Sequence, residues 1–295
     1  STVSGVMTSP WWSRLPPAFW HERVGSAPMS DTPDPDRPAV ALERDPATRV
    51  ATVFLDRPKV NAIDESMLAA LDAVRAELAD DTDMRAVVLT GRGRNYAAGA
   101  DITRFPEMDS EAALDFSTRI NDVALGIESL PQITISAING YALGGGLELA
   151  MATDFRVAAS DATLGQPEIL LGIIPGGGGT QRLTRLAGVT VAKELIFSGR
   201  SIDADEALRH GIVSSVHDPA TLLDDARDLA ARYAAGPAAL QHAKRAILDG
   251  LHLPLAEAVR VEAAAFADTF ETDDRTTGVA SFLEHGPGKA TFSGR

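Results

Sequence analysis

Two glutamates lodged among apolar residues and glycines constrain this chain more than any other feature. Glu148 lies in Gly140-Tyr-Ala-Leu-Gly-Gly-Gly-Leu-Glu-Leu-Ala-Met151, and Glu168 in Leu164-Gly-Gln-Pro-Glu-Ile-Leu-Leu-Gly-Ile-Ile-Pro-Gly176. Ionised carboxylates are rarely buried without a partner, so a fold that encloses these two must supply donors or keep a proton in place. An apolar setting raises a carboxyl group's proton affinity and suits it to proton transfer near neutral pH. The two stand twenty positions apart on different elements, so only the tertiary fold can unite them. The pair points to acid–base chemistry on a substrate enclosed by backbone.

The 295 residues suffice for one large domain or two modest ones, and 45% hydrophobic residues can supply a sizeable core. Asp and Glu number 41 against 27 Lys and Arg, for a net charge of −14. That balance argues against a nucleic-acid binder, though a local basic rim can still serve an anionic small molecule within a Debye length of about 8–10 Å. The chain has no cysteine, which removes disulfides, thiolate catalysis and Cys-ligated metals. It is compatible with a reducing, cytoplasmic location. No apolar run approaches the roughly 20 residues of a membrane span. The Pro-, Asp- and Ser-rich stretch before Pro38 reads as a mobile leader over residues 1–37.

Strand-like segments at Val50–Leu55, Ala86–Thr90, Ile133–Ile138 and Asp154–Ala159 alternate with helical patterns. Asp64 is the expected N-cap of the first helix, and Ala112–Leu130 has helical spacing. A short helix should carry Glu148. Beyond these, Ala204–Arg209, Ala220–Ala235, Ala238–Asp249 and Leu255–Phe270 read as Ala-rich helices. The pattern predicts an α/β core over 38–220 and a helical region over 221–295.

Several familiar chemistries are missing. Gly91-Arg-Gly-Arg-Asn-Tyr96 lacks the third glycine of a dinucleotide fingerprint, and Pro175-Gly-Gly-Gly-Gly-Thr180 lacks the lysine of a phosphate loop. There is no nucleophile elbow, and the six histidines show no metal spacing, so no metal site is expected.

Five segments, in order, carry a resemblance: Arg57-Pro-Lys-Val-Asn-Ala62, Asn95-Tyr-Ala-Ala-Gly-Ala-Asp-Ile102, Asn139-Gly-Tyr-Ala-Leu-Gly-Gly-Gly-Leu-Glu-Leu-Ala150, Gly165-Gln-Pro-Glu-Ile-Leu-Leu-Gly172 and Ile174-Pro-Gly-Gly-Gly-Gly-Thr-Gln-Arg-Leu183. From about Ala39 onward the chain resembles the enoyl-CoA hydratase (crotonase) family. The resemblance implies repeated ββα turns building two roughly perpendicular sheets, then a C-terminal helical trimerisation region. It also implies an acyl-CoA thioester substrate, with coenzyme A as part of the substrate rather than a cofactor. The implied assembly is a homo-oligomer, a trimer or a dimer of trimers.

By position in those motifs, the N–H groups of Ala100 and Gly145 form an oxyanion hole. The resemblance implies that Glu148 activates the water that attacks the β-carbon and that Glu168 delivers a proton to the α-carbon, a reversible syn hydration of trans-2-enoyl-CoA. By the same resemblance, Ala98, Asp101 and Ile102 are expected to bind the substrate. The Gly176 N–H holds either the catalytic water or one glutamate, or else the glycine run is simply a helix entry. Arg57, Lys59, Val60 and Ala62 are expected at the nucleotide end of CoA. Thr103 stands where the family often has lysine, with Arg104 adjacent. Phe105 to Asp122 is the expected acyl end. Taken singly, either glutamate can instead be a structural cap or pair with Arg182 or Arg185. Two further readings remain open: an enoyl-CoA isomerase working with one glutamate, and an RNA-binding relative, which the net charge of −14 disfavours.

Overall fold

The computed structural model describes residues 38–57 and 59–295; the expected leader lies outside them. Nine strands and nine α-helices are formed among the described residues. The larger sheet has six strands: β1 (Val40–Asp45), β2 (Val50–Leu55), β3 (Ala86–Gly91), β4 (Ile133–Ile138), β6 (Phe155–Ala159) and β9 (Ser215–His217), side by side in that order. Only β1 runs antiparallel to its neighbour; the other pairings are parallel. Every residue of β2, β3 and β4 is buried, as expected for parallel strands covered on both faces. A second sheet joins β5 (Tyr141–Leu143), β7 (Thr163–Gly165) and β8 (Ser201–Asp203).

The helices follow the apolar periodicity. In α1 (Glu65–Ala79), Met67, Leu68, Leu71 and Leu78 are buried, and the Asp64 side chain accepts from the Met67 N–H at 2.9 Å as the N-cap. Helix α2 (Ser110–Glu128) buries Ile120, Val123, Ala124 and Ile127 and packs on α1. Helix α6 (Leu222–Ala234) lies against β2, β3, β4 and β6. Helix α7 (Ala239–Gly250) is pinned by a buried lysine: Lys244 Nζ reaches the Gln132 carbonyl and Asp154 Oδ2, each at 2.8 Å. Helices α8 (Leu255–Thr269) and α9 (Asp273–His285) complete the C-terminal region, and α8 has no buried residue within this chain.

The second sheet matters most for the site. Strands β5 and β7 are parallel neighbours, pairing Leu143 with Gly165, so both chains leave the sheet at the same end. From β5 the chain enters α3 (Gly145–Met151), and from β7 it enters a 3-10 turn at Glu168–Leu171. The Gly144 N–H bonds the Gly165 carbonyl at 2.9 Å and ties the exits together. A twenty-residue separation in sequence thereby becomes adjacency in space.

Candidate active site

Glu148 occupies the first turn of α3 and is only 2% exposed. One of its oxygens, Oε1, accepts from the Gly177 N–H at 2.8 Å and the Gly179 N–H at 2.6 Å. These amides belong to the turn that leads into α4 (Gly179–Ser198). Burial raises the proton affinity of Glu148, while the two amides and the Arg182 cation oppose that rise.

Glu168 lies across from it, with Oε2 buried and no hydrogen-bond partner among the described residues. Burial first, and the Glu148 charge second, push its pKa up to about 7. The two carboxylates titrate as a pair, and their surroundings divide the roles. The member with two amide donors is the better home for the negative charge. The member with a buried, unpartnered oxygen and only its own backbone N–H in support is the better home for the proton.

The raised value for Glu168 has a stability consequence. A group that holds its proton more tightly when folded stabilises the fold below its unfolded value, and that contribution disappears as pH rises through the folded value. For Glu168 the window runs from 4.5 to about 7, at most ~3 kcal/mol. Glu168→Gln should therefore match wild type in thermal stability near pH 4.5 and exceed it by about 1–3 kcal/mol at pH 8. Melting curves across that range check it; a variant less stable than wild type at pH 8 refutes it.

Two further backbone groups converge beside the carboxylates. Ile63 bridges Ala100 in parallel fashion: its N–H bonds the Gly99 carbonyl and its carbonyl takes the Asp101 N–H, each at 2.9 Å. That pattern turns the Ala100 N–H away from Ile63. The Gly145 N–H is an unpaired donor at the start of α3, as helix N-termini leave them. Neither N–H meets an acceptor among the described residues. A Cβ at Gly145 would lie 3.7 Å from the Ala100 nitrogen, and one at Gly99 would lie 3.9 Å from the Gly145 nitrogen. Gly99 and Gly144 have φ of 112° and 50°, conformations that favour glycine, and they shape this pair of amides.

The remaining expected residues fall into two groups. Ala98 is half-buried and donates to the Val60 carbonyl at 2.9 Å, which joins the 57–62 and 95–102 segments. Asn61, also buried, reinforces that junction through Nδ2 bonds to the Asn95 and Tyr96 carbonyls. Asp101 caps the 3-10 turn Ile102–Glu107 by accepting from the Thr103 N–H and hydroxyl, and Ile102 is exposed. Arg57 is engaged with Asp64 at 2.7 Å and Ser66 at 2.7 Å, whereas Lys59 is exposed and forms no ion pair among the described residues. Ala62 is half-buried beside them.

Gly176 does not hold a glutamate. Gly177 and Gly179 do so, and Gly176 offers its carbonyl to Ser117 and Asn121. Neither Arg182 nor Arg185 pairs with the two glutamates: Arg182 binds Glu128, and Arg185 binds Gln181. Sequence reasoning also passed over Gln166, which is buried and donates to the Gly144 carbonyl at 3.2 Å. Its place between Gly165 and Pro167 was the available signal. Along α2, one turn before Ile120, Phe116 borders a cavity of about 180 Å³ lined also by Arg104, Met108 and Arg119. No group of residues suited to hold a metal ion occurs among the described residues.

Known proteins are similar to this chain in sequence and fold. Residues 46–295 match the family model described as enoyl-CoA hydratase/isomerase. A short-chain-enoyl-CoA hydratase of Clostridium acetobutylicum is 42% identical over 248 residues, covering 83% of this chain and 94% of the relative. A crotonyl-CoA hydratase of Syntrophomonas wolfei is 40% identical, covering 83% of this chain and 95% of its own. The crystal structure of an enoyl-CoA hydratase from Bacillus anthracis superposes with a TM-score of 0.82 at 37% identity, covering 87% of this chain and all of that one.

Proposed function

Because the chain belongs to the enoyl-CoA hydratase/isomerase family, we propose that it adds water reversibly to trans-2-enoyl-CoA thioesters to give 3-hydroxyacyl-CoA. The observation that carries this reading is the asymmetry of two neighbouring carboxylates, one held by two amides of the facing turn and one with a buried oxygen that has no hydrogen-bond partner among the described residues. Hydration needs both a base and an acid within one enclosure, and an asymmetric pair supplies them.

The thioester carbonyl accepts from the N–H groups of Ala100 and Gly145, which stabilise the enolate oxygen as charge develops there. Glu148 takes a proton from water as the oxygen bonds to the β-carbon. Glu168 gives its proton to the α-carbon, so hydroxyl and hydrogen are both delivered. CoA enters as part of the substrate. Its nucleotide end lies along residues 57–62, where Lys59 is the exposed cation.

The test is loss of the conjugated enoyl absorbance of crotonyl-CoA. Wild type should consume it, and kcat/KM should fall on the alkaline side with an apparent pKa near 7 as Glu168 gives up its proton. Glu168→Gln should be slowed by ~10²-fold or more and lose that limb. A wild-type protein inert toward crotonyl-CoA, or an unchanged limb in the variant, sinks the reading.

The assembly we propose is a homo-oligomer built through the C-terminal helices. Leu255, Phe266 and Leu283 are 78%, 64% and 80% exposed, an apolar surface that a lone chain leaves to water. Light scattering should return a trimer or a multiple of it; a monomer at micromolar concentration refutes the assembly and leaves the chemistry untouched.

A further inference from the structure

The amides that hold Glu148 are themselves aimed from outside the site. A peptide unit is planar and trans, so the Gly176 carbonyl and the Gly177 N–H point in opposite directions. Whatever grips the carbonyl therefore sets the direction of the N–H. The Gly176 carbonyl is gripped twice from α2, by Ser117 Oγ and by Asn121 Nδ2, both at 2.7 Å. These side chains stand four residues apart, one helical turn, and share a face. Between them in sequence, Ile120 is buried with its Cδ1 3.0 Å from where a Gly177 Cβ would lie, so α2 closes directly on the turn.

The next peptide is gripped as well. Arg182 Nη1 donates to the Gly177 carbonyl at 2.9 Å, and Arg182 Nε is held by Glu128 Oε1 at 2.6 Å from the end of the same helix. The Arg182 side chain is only 11% exposed. Its guanidinium leaves no room at Gly178, whose φ of 98° completes the turn. The Gly178 carbonyl in turn accepts from the Arg182 N–H at 2.8 Å, and by the same planarity this aims the Gly179 N–H inward.

We propose that Ser117, Asn121 and the Glu128–Arg182 pair are positioning residues, which act through the Gly176–Gly179 turn to keep Glu148 the ionised base of the pair. None of the four needs to touch the reacting atoms. The proposal rests on the assignment of Glu148 as the base, and its expected signature is a change in the base rather than in thioester binding. Loss of the Gly176 grip frees the Gly177 N–H to swing away. Loss of Arg182 removes a cation and unfastens the Gly177 carbonyl. Either change takes support from the carboxylate and should raise its proton affinity.

The experiment compares wild type, Asn121→Ala, Arg182→Gln and Arg182→Lys. In crotonyl-CoA hydration, the first two should lose ~10- to 100-fold in kcat, with KM changed less than about threefold. The acid limb of kcat/KM should move to higher pH in both. Arg182→Lys, which keeps the cation, should recover much of the rate and most of the limb. A parallel measurement needs no turnover: 13C NMR titration of the Glu148 carboxyl carbon, identified by its loss in Glu148→Gln. Its midpoint should rise in Asn121→Ala and Arg182→Gln. If wild type is inert but the midpoints move, the hydratase reading fails and the positioning stands. If wild type hydrates and neither limb nor midpoint moves in the two variants, the positioning is overturned. Asn121 is half-buried, so its variant keeps the test decisive should Arg182→Gln not fold.

Discussion

Glu148→Gln should lower kcat for crotonyl-CoA hydration by ~10³-fold or more, near the upper end of what a positioned acid or base contributes. Glutamine is the informative replacement because the geometry survives it. Its Oε1 can still accept from the Gly177 and Gly179 N–H groups, now 2.8 and 2.6 Å from the carboxylate. What is lost is the ability to accept a proton from water. A second effect follows with a definite sign. The Glu148 charge helps raise Glu168, so its removal should draw the Glu168 pKa down from about 7 toward its ordinary value. The residual activity should then have its alkaline limb at lower pH. The same variant separates hydration from double-bond isomerisation, for an isomerase that shuttles its proton on Glu168 would retain activity toward 3-enoyl-CoA. Thermal melting and circular dichroism establish that the protein remains folded. Hydration within tenfold of wild type would remove Glu148 from the chemistry.

The parts of this site that lay open in the sequence are those written in local pattern. Buried parallel strands announce themselves as continuous apolar runs, and Val50–Leu55 and Ile133–Ile138 form with the boundaries expected. Asp64 caps its helix as its position predicts. β1 escaped because an edge strand with exposed polar residues has no apolar run to reveal it. β5, β7 and β8 are three residues each, too short for periodicity to emerge. The full length of α4 was hidden by its glycines, including Gly188, where φ of 81° breaks the helix. α9 is not among the expected helices of the 221–295 region because Gly278 interrupts its pattern. For the site, the two glutamates and the glycine segments were legible from residue type and from resemblance. The outer ring of Ser117, Asn121 and Glu128 was not. Their roles depend on which backbone carbonyls face α2, and a polar residue on an amphipathic helix gives no sign of what lies opposite.

Gly146→Ala should be nearly as damaging as loss of the base, although the residue carries no chemistry. A Cβ at Gly146 would run into the Ala97 carbonyl oxygen and come within 2.8 Å of the Ala97 carbonyl carbon. This is backbone, and it cannot yield by a rotamer change. Ala97 is locked on both sides, donating to the Tyr141 carbonyl at 2.9 Å and accepting from the Leu143 N–H at 3.0 Å. The strain must be relieved by moving α3 away from the segment that runs from Ala97 to Ala100. That displacement separates the Gly145 and Ala100 N–H groups, whose spacing sets how both can reach one oxygen. It also shifts Glu148, two residues along the same helix. Overpacking of this kind costs ~1–3 kcal/mol of stability, sometimes more. Misaligning an oxyanion donor typically costs ~10²–10³ in kcat. We therefore expect kcat to fall by at least ~10²-fold, with the thermal midpoint lowered. Gly126→Ala is the control. The added methyl there meets only the Arg75 side chain, which must shift to admit it, at a half-buried position of α2. Alanine is also the better helix former, so that variant should keep its activity and hold or gain stability by up to ~1 kcal/mol. If both alanine variants hydrate crotonyl-CoA like wild type, close contact of α3 with Ala97 is not what aligns the two amides.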